Sequence, residues 1–304
     1  MRIGKSMKKV LVLLSTYNGE KYVETQVNSV LKQKNVDVDI FIRDDGSKDN
    51  TVAVIEKLND SRISIFKEEN KGATNSFFEL IKKAPLEYDY YALCDQDDYW
   101  EEDKLYAAAV KLKDVDQKKP ALYYSGQKLT DKNLQNISEH NIDIKRSLGA
   151  NFVFNQMAGC TAVFNRALLE KLKRYVPQNV FGHDVWCFKL CAATGGTIVV
   201  ESKGHILYRQ HGNNVVGLED SFHGKMQRAQ KYIFVYKDSS YAAEILKAYD
   251  TELDKEWKNF LELICKAANG NLSAKIKLLN SKMVYFNSST LRALFIVKVI
   301  LGKM

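Results

Sequence analysis

"YYALCDQDDYW", residues 90–100, decides the reading of this chain. A short apolar run ends in Asp95, Asp97 and Asp98, three carboxylates within four residues. Like charges at that spacing raise one another's pKa and repel. The run itself reads as a buried strand. Hard oxygen donors clustered at its end suit a divalent cation, which takes one or two carboxylates together with substrate phosphates. The alternative is a solvated acidic turn, with Asp98 capping a helix predicted to start near Glu101.

Outward from this stretch, the first part of the chain alternates strand and helix. Residues 9–15, 38–43, 62–67 and 88–94 read as strands, and 20–34, 52–58, 72–84 and 101–112 as helices. That order implies an α/β protein with a parallel sheet covered on both faces. Ligands on such sheets sit at the carboxyl ends of the strands. STYNGE (15–20) follows the first strand, DDGSKDN (44–50) the second and DQDD (95–98) the fourth. The three polar runs therefore open on one edge and form one site. Further on, 121–124 and 151–164 read as strands joined by a loop rich in Asn, Asp and Lys. Residues 166–174 and 183–193 read as helices, and 197–201 and 206–210 as strands. From Asp220 the chain is mostly helical.

The chain has 304 residues, 45% apolar and 27% charged, an ordinary globular composition with length for one large or two smaller domains. Its five cysteines are odd in number and scattered without a CxxC pair, so neither a disulfide framework nor a zinc site is indicated, and a reducing cytoplasm fits. The start, MRIGKSMKKVLVLLS, is basic then apolar, but it runs straight into STYNGE without a small-residue cleavage site. It reads as a first strand rather than a signal peptide.

The net charge of +8 is unevenly placed. Residues 273–304 hold six basic side chains (Lys275, Lys277, Lys282, Arg292, Lys298, Lys303) and no Asp or Glu, interleaved with apolar residues. A basic amphipathic tail suits a membrane surface. Arg292 and Lys298 break the last apolar run, so no spanning segment is predicted. A helix packed on the protein, with solvated lysines, is the alternative; the absence of acid favours the membrane. No nucleic-acid motif accompanies the charge, and that partner is not expected.

Several blocks together carry a resemblance. "STYNGEKYVETQVNSVLKQ", "IRDDGSKDNT", "ENKGATNSF" and "LCDQDDYWEEDKL" resemble the successive blocks of family-2 glycosyltransferases with the GT-A fold. "MAGCTAVFNR" (157–166), "HDVW" (183–186) and "YRQHGNN" (208–214) fit the later blocks. The match spans residues 8–214, and the later motifs are most similar to bacterial rhamnosyltransferases of cell-surface polysaccharide synthesis. The resemblance implies a Rossmann-like, mostly parallel GT-A domain over residues 1–218. Its nucleotide-binding half would be 8–115 and its acceptor half 116–218, followed by a helical region, 219–304.

The implied roles fall on named residues. Thr16, Tyr17 and Glu20 would line the base and ribose pocket, and Asp44 would hydrogen-bond the pyrimidine. Asn75 and Lys71 would approach the nucleotide. Asp95 would contact ribose or metal, and Asp97 would bind the Mn²⁺ or Mg²⁺ bridging the donor diphosphate. His211 would complete the metal or phosphate contacts. Asp184 would deprotonate the acceptor hydroxyl. Gly159, Cys160, His183 and Trp186 would lie near donor or acceptor sugar. The QxxRW motif of processive enzymes is absent, which argues for one or a few additions. The implied activity is inverting, metal-dependent transfer of a sugar, L-rhamnose from dTDP-rhamnose, to a lipid-linked glycan. The enzyme would be cytoplasmic, peripheral on the inner face of the membrane. A UDP-hexose or UDP-N-acetylhexosamine donor is the alternative, and a homodimer through the helical region stays open.

Plainer roles compete for the same residues. His211 alone would be a hydrogen-bonded structural histidine, Asp184 a helix cap, and Trp100 and Trp186 core aromatics. A nucleotidyltransferase would carry a Gly-rich phosphate loop after the first strand, which STYNGE is not. A phosphohydrolase with an aspartate nucleophile would place its acids there as well. A membrane-bound adaptor with a degenerate site would not need DQDD, HDVW and His211 intact.

Overall fold

The protein, a computed structural model, is described over residues 7–210 and 222–304. In chain order the elements begin β1 (Lys8–Thr16), α1 (Val23–Leu31), β2 (Val36–Asp44), α2 (Thr51–Lys57), β3 (Ile63–Lys67) and α3 (Ala73–Lys83). They continue β4 (Tyr90–Cys94), β5 (Tyr99–Trp100), α4 (Lys104–Leu112), β6 (Ala121–Thr130), β7 (Asn136–His140) and α5 (Leu148–Val153). Then come β8 (Val163–Asn165), α6 (Arg166–Arg174), α7 (His183–Ala193) and β9 (Thr197–Arg209). The last helices are α8 (Phe222–Phe234), α9 (Asp238–Tyr249), α10 (Lys255–Ala268), α11 (Leu272–Leu279) and α12 (Ser289–Ile300). Contacts divide the chain into two units. The first takes the described residues of Met1–Ile142, Met157–Val176 and Thr197–His211; the second takes those of Asp143–Gln156, Pro177–Gly196 and Gly212–Met304.

The first unit is built on one sheet, in the order β3-β2-β1-β4-β8-β6-β9-β5, with β7 added on β6. β1 lies at the centre of its parallel part, and Val10 to Leu14 are fully buried, as an uninterrupted apolar strand covered on both faces must be. β1 pairs in parallel with β2, from Lys8↔Val36 to Thr16↔Asp44, and with β4, from Val10↔Tyr90 to Leu14↔Cys94. This register brings the ends of all three strands to one edge. Beyond β4 the sheet is mixed: β8 is antiparallel to β4 and β6, and β6 is parallel to β9.

Three expectations are corrected. Residues 151–164 are not a strand: 148–153 form α5, whose cap Ser147 accepts from the Ala150 N–H, and only Val163–Asn165 pair in the sheet. An apolar run of that length fits a buried helix as well as a strand, and the Ser cap decides it. The two strands expected at 197–201 and 206–210 are one, β9, with a register shift opposite Gly126. A Cβ on Gly126 would lie 2.2 Å from the Ser202 carbonyl oxygen, so the irregularity needs glycine. The helix expected from Glu101 begins at Lys104, because Tyr99 and Trp100 pair with Leu207 and Ile206 of β9.

The second unit is helical. α7 is buried almost all round, with Trp186, Cys187, Phe188, Leu190 and Cys191 all at 0% exposure. Phe152 of α5 packs on Trp257 and Phe260 of α10, with ring centroids 5.8 and 5.9 Å apart. Asp238, at the start of α9, receives the ammonium groups of both Lys189 (2.6 Å) and Lys298 (2.5 Å), and all three side chains are buried. One of the six basic side chains of the tail is therefore an internal ion-pair partner. Among the described residues no helix is long and apolar enough to cross a membrane.

Candidate active site

Side chains tie together the three loops at the carboxyl edge of β1, β2 and β4. The Thr16 hydroxyl donates to Asp44 Oδ1 (3.0 Å), and the Ser47 N–H to Asp44 Oδ2 (2.9 Å). Asn18 exchanges bonds with the second loop: its N–H donates to Ser47 Oγ (2.9 Å), and its Oδ1 accepts from Lys48 N–H (2.8 Å). Glu20 Oε2 accepts from the Asn50 main chain (3.0 Å) and side chain (3.1 Å). The fourth-strand loop joins through Gln96, whose amide accepts from Tyr17 N–H (2.9 Å) and donates to Tyr17 C=O (3.1 Å). A Cβ on Gly19 would sit 2.1 Å from Gln96 Oε1, so the glycine makes room for this bridge.

Thr16, Tyr17, Glu20, Asp44 and Asp95 are thus brought to one edge. Thr16 and Asp44 are buried, whereas Tyr17 is 44% exposed and can meet a ligand. Lys71 and Asn75 reach the neighbourhood through Asp45, which pairs with the buried Arg43. Asp45 also accepts the main-chain N–H groups of Lys71 (2.8 Å) and Gly72 (2.9 Å), and Asn75 Nδ2 donates to the Lys71 carbonyl (3.0 Å).

The three aspartates of the acidic loop differ in burial. Asp95 and Asp97 are half-buried, while Asp98 is at 0% exposure. Asp98 is no helix cap: its Oδ1 accepts from Arg209 N–H (3.2 Å), and its Oδ2 has no hydrogen-bond partner among the described residues. Burial, reinforced by the charges of Asp97 and Asp95, pushes its carboxyl well above the usual range. Donor atoms of Asp95, Asp98 and Cys160 lie within 4.8 Å of one another. Gly159 and Cys160 belong to one turn of 3-10 helix, and burial raises the Cys160 thiol far above its ordinary pKa. It is a poor nucleophile there. Nearby, the Lys104 ammonium is 3.6 Å from the centroid of the buried Trp100 ring and has no hydrogen-bond partner among the described residues; burial lowers its pKa to about 8.

Asp184 belongs to the second unit. It is half-buried in the first turn of α7, and its Oδ1 accepts from Val185 N–H (2.8 Å). Gly182 precedes it at φ +87°, and a Cβ there would stand 2.8 Å from Asp184 Oδ1. His183 is buried, and burial pulls its pKa down to about 4, so it is neutral near pH 7. Trp186 is fully buried in the core of its unit, with no ring face open for a sugar. His211 lies outside the described residues. The sequence reading passed over Gln96, Gly19, Gly182 and Lys104; the glycines, one inside STYNGE and the other just before HDVW, were the available signal.

The model of glycosyl transferase family 2 matches residues 11–173. The dTDP-rhamnosyl transferase RfbG of Shigella flexneri is 33% identical over 265 residues, 81% of this chain and 86% of that protein. In fold, the chain is similar to S. aureus TarS 1–349 in complex with UDP-GlcNAc (TM-score 0.58, 18% identity, 97% of this chain and 82% of that one). It is also similar to the mannosyltransferase PcManGT of Pyrobaculum calidifontis in complex with GDP-Man and Mn²⁺ (TM-score 0.54, 17% identity, 98% and 81%). With the parallel sheet, its loop-bearing edge and the matched model in agreement, the chain belongs to glycosyl transferase family 2 and has the GT-A fold.

Proposed function

We propose that this glycosyltransferase moves L-rhamnose, with inversion, from dTDP-rhamnose to a lipid-linked cell-surface glycan. One observation carries the reading: the acidic loop is bridged by Gln96 to the main chain of Tyr17, and that first loop is bonded to Asp44 and Ser47 of the second. A nucleotide base, ribose and diphosphate need such contiguous loops. The likeness to RfbG over most of both chains supports the rhamnosyl donor.

Asp95 and Asp97 fit a divalent cation. They are half-buried oxygen donors at a strand end, beside the orphaned Asp98 Oδ2, and hard oxygen sets suit Mg²⁺ or Mn²⁺. Such a cation, when bound, offsets negative charge on a diphosphate leaving group. The chain's own residues do the rest. Thr16, Tyr17 and Asp44 hold the nucleoside, and Asp184 takes the proton of the attacking hydroxyl, worth about 10²–10⁴-fold in rate. His183, neutral beside it near pH 7, adds no positive charge next to that carboxylate.

The test is a thermal-shift panel of dTDP, UDP and GDP, with and without Mn²⁺, on wild type and Asp97→Asn. A Mn²⁺-dependent shift with dTDP, lost in the variant, is expected; a preference for UDP would replace rhamnose by a hexose or N-acetylhexosamine. Asp184→Asn should keep the nucleotide shift and lose turnover by about 10²-fold or more. Unchanged turnover removes Asp184 as the base.

The membrane contact rests on α11, α12 and the flanking chain. Leu272, Ile276, Val297, Ile300 and Leu301 are exposed there beside exposed Lys277, Lys282, Arg292 and Lys303. Apolar groups ringed by cations suit an anionic bilayer. Lys277→Glu with Lys282→Glu should lower cosedimentation with anionic vesicles; full retention sinks the contact.

A further inference from the structure

We infer that Arg209 is a positioning residue for the acidic loop, aiming Asp97 at the cation it would hold; the inference rests on the proposed role of Asp97. Arg209 is the last residue of β9 and is 5% exposed. Its Nε donates to the main-chain carbonyl of Asp97 (2.7 Å), and its own N–H to Asp98 Oδ1 (3.2 Å). A second guanidinium nitrogen, Nη1, donates to the Lys132 carbonyl, which anchors the group to the segment after β6. The guanidinium carbon lies 4.6 Å from the centroid of the Tyr22 ring, just before α1. Arginine is suited to this task because its planar fork serves two acceptors in fixed directions while its face rests on an aromatic ring.

The loop needs such a device. Three carboxylates within four residues repel one another, and a free loop would splay them before any cation arrived. Here each end of the loop is pinned. Gln96 is locked to the Tyr17 main chain, the Asp97 carbonyl to Arg209 Nε, and the Asp98 carboxylate to Arg209 N–H. Tyr99 then enters β5, opposite Leu207 on the strand that carries Arg209. The backbone on either side of the Asp97 side chain is thereby set, and preorganised ligands bind without paying to order themselves. Lysine could supply the charge but not the fork.

The experiment uses the full chain, with Arg209→Lys and Arg209→Gln, and whichever of dTDP or UDP the wild type binds. Dissociation constants are measured by calorimetry in EDTA and with Mn²⁺, alongside the thermal midpoint. Both variants should bind nucleotide in EDTA as the wild type does, while the gain in affinity from Mn²⁺ falls by about tenfold or more. Lysine should fail to rescue. The inference is overturned if either variant keeps the full Mn²⁺ gain. It is overturned too if the EDTA affinity and the midpoint fall in step with the gain, since Arg209 would then be a structural strut. A wild type without any Mn²⁺ gain removes the role of Asp97 first, and this inference with it.

Discussion

Each unit of the molecule buries charge, and the two do it differently. In the helical unit Lys189, Asp238 and Lys298 form a closed set, with both ammonium groups bonded to the one carboxylate. In the sheet unit Asp98 and Lys104 are as deeply buried, yet among the described residues Asp98 Oδ2 and Lys104 Nζ each lack a hydrogen-bond partner. A satisfied buried network holds a fold together; breaking it leaves an uncompensated charge. Unsatisfied charge at a strand edge costs stability, and sites that bind ions retain it. The contrast separates a fully bonded cluster from one with unpaired polar atoms beside the proposed site.

The largest expected effect falls on the satisfied cluster. Asp238→Ala strands two buried lysines and should cost about 3–5 kcal/mol in urea denaturation. A loss below about 1 kcal/mol would break the comparison, because the triad would then hold nothing together.

Lys104→Met should behave in the opposite way. It removes an ammonium that no hydrogen bond compensates, so stability at pH 7 should stay within about 1 kcal/mol of wild type or rise. The pH dependence sharpens this. Burial lowers the folded pKa of Lys104 to about 8 from 10.5. Between those values the unfolded chain holds the extra proton, so this group makes stability rise with pH. From pH 8 to 9 the variant should show a shallower rise than the wild type. Lys189, also lowered to about 8 by burial, contributes to both proteins alike. Equal slopes would mean that Lys104 is not the desolvated group described.

The smallest effect on stability concerns the bridge between loops. Gly19→Ala would push Gln96 aside and cost about 1 kcal/mol, the scale of one or two partly exposed hydrogen bonds. The Mn²⁺-dependent nucleotide shift should nevertheless shrink, because the acidic loop loses its tie to Tyr17. A full shift with Gly19→Ala would show that the bridge does not matter to the site.

The parallel part of the fold and its active edge were legible in the sequence. Uninterrupted runs such as 9–15, rich in Val and Leu and bounded by polar turns, fit a buried strand, and their alternation with helices implies a parallel sheet. Helices α6 and α7 were read with the bounds the structure shows, 166–174 and 183–193; the structure adds that the Asn165 side chain caps the first and that Gly182 precedes the second. The region around 151–164 was not, because short apolar runs satisfy either period. The tail was half legible. Its charge and amphipathy are local facts, but the burial of Lys298 depends on Asp238, 60 residues away.

By itself, the sequence pointed to the family through the resemblance of its motif blocks, and to a parallel sheet with the polar loops on one edge through local periodicity and where each apolar run stops. Only the tertiary structure decided how deeply each carboxylate of the acidic loop is buried. Asp97 and Asp98 are neighbours of identical chemistry, yet one is half-buried and the other is sealed beneath Arg209 and beside Cys160. Desolvation is set by what packs around a group, and those atoms come from β9 and from the turn at 159–161, far away in the chain.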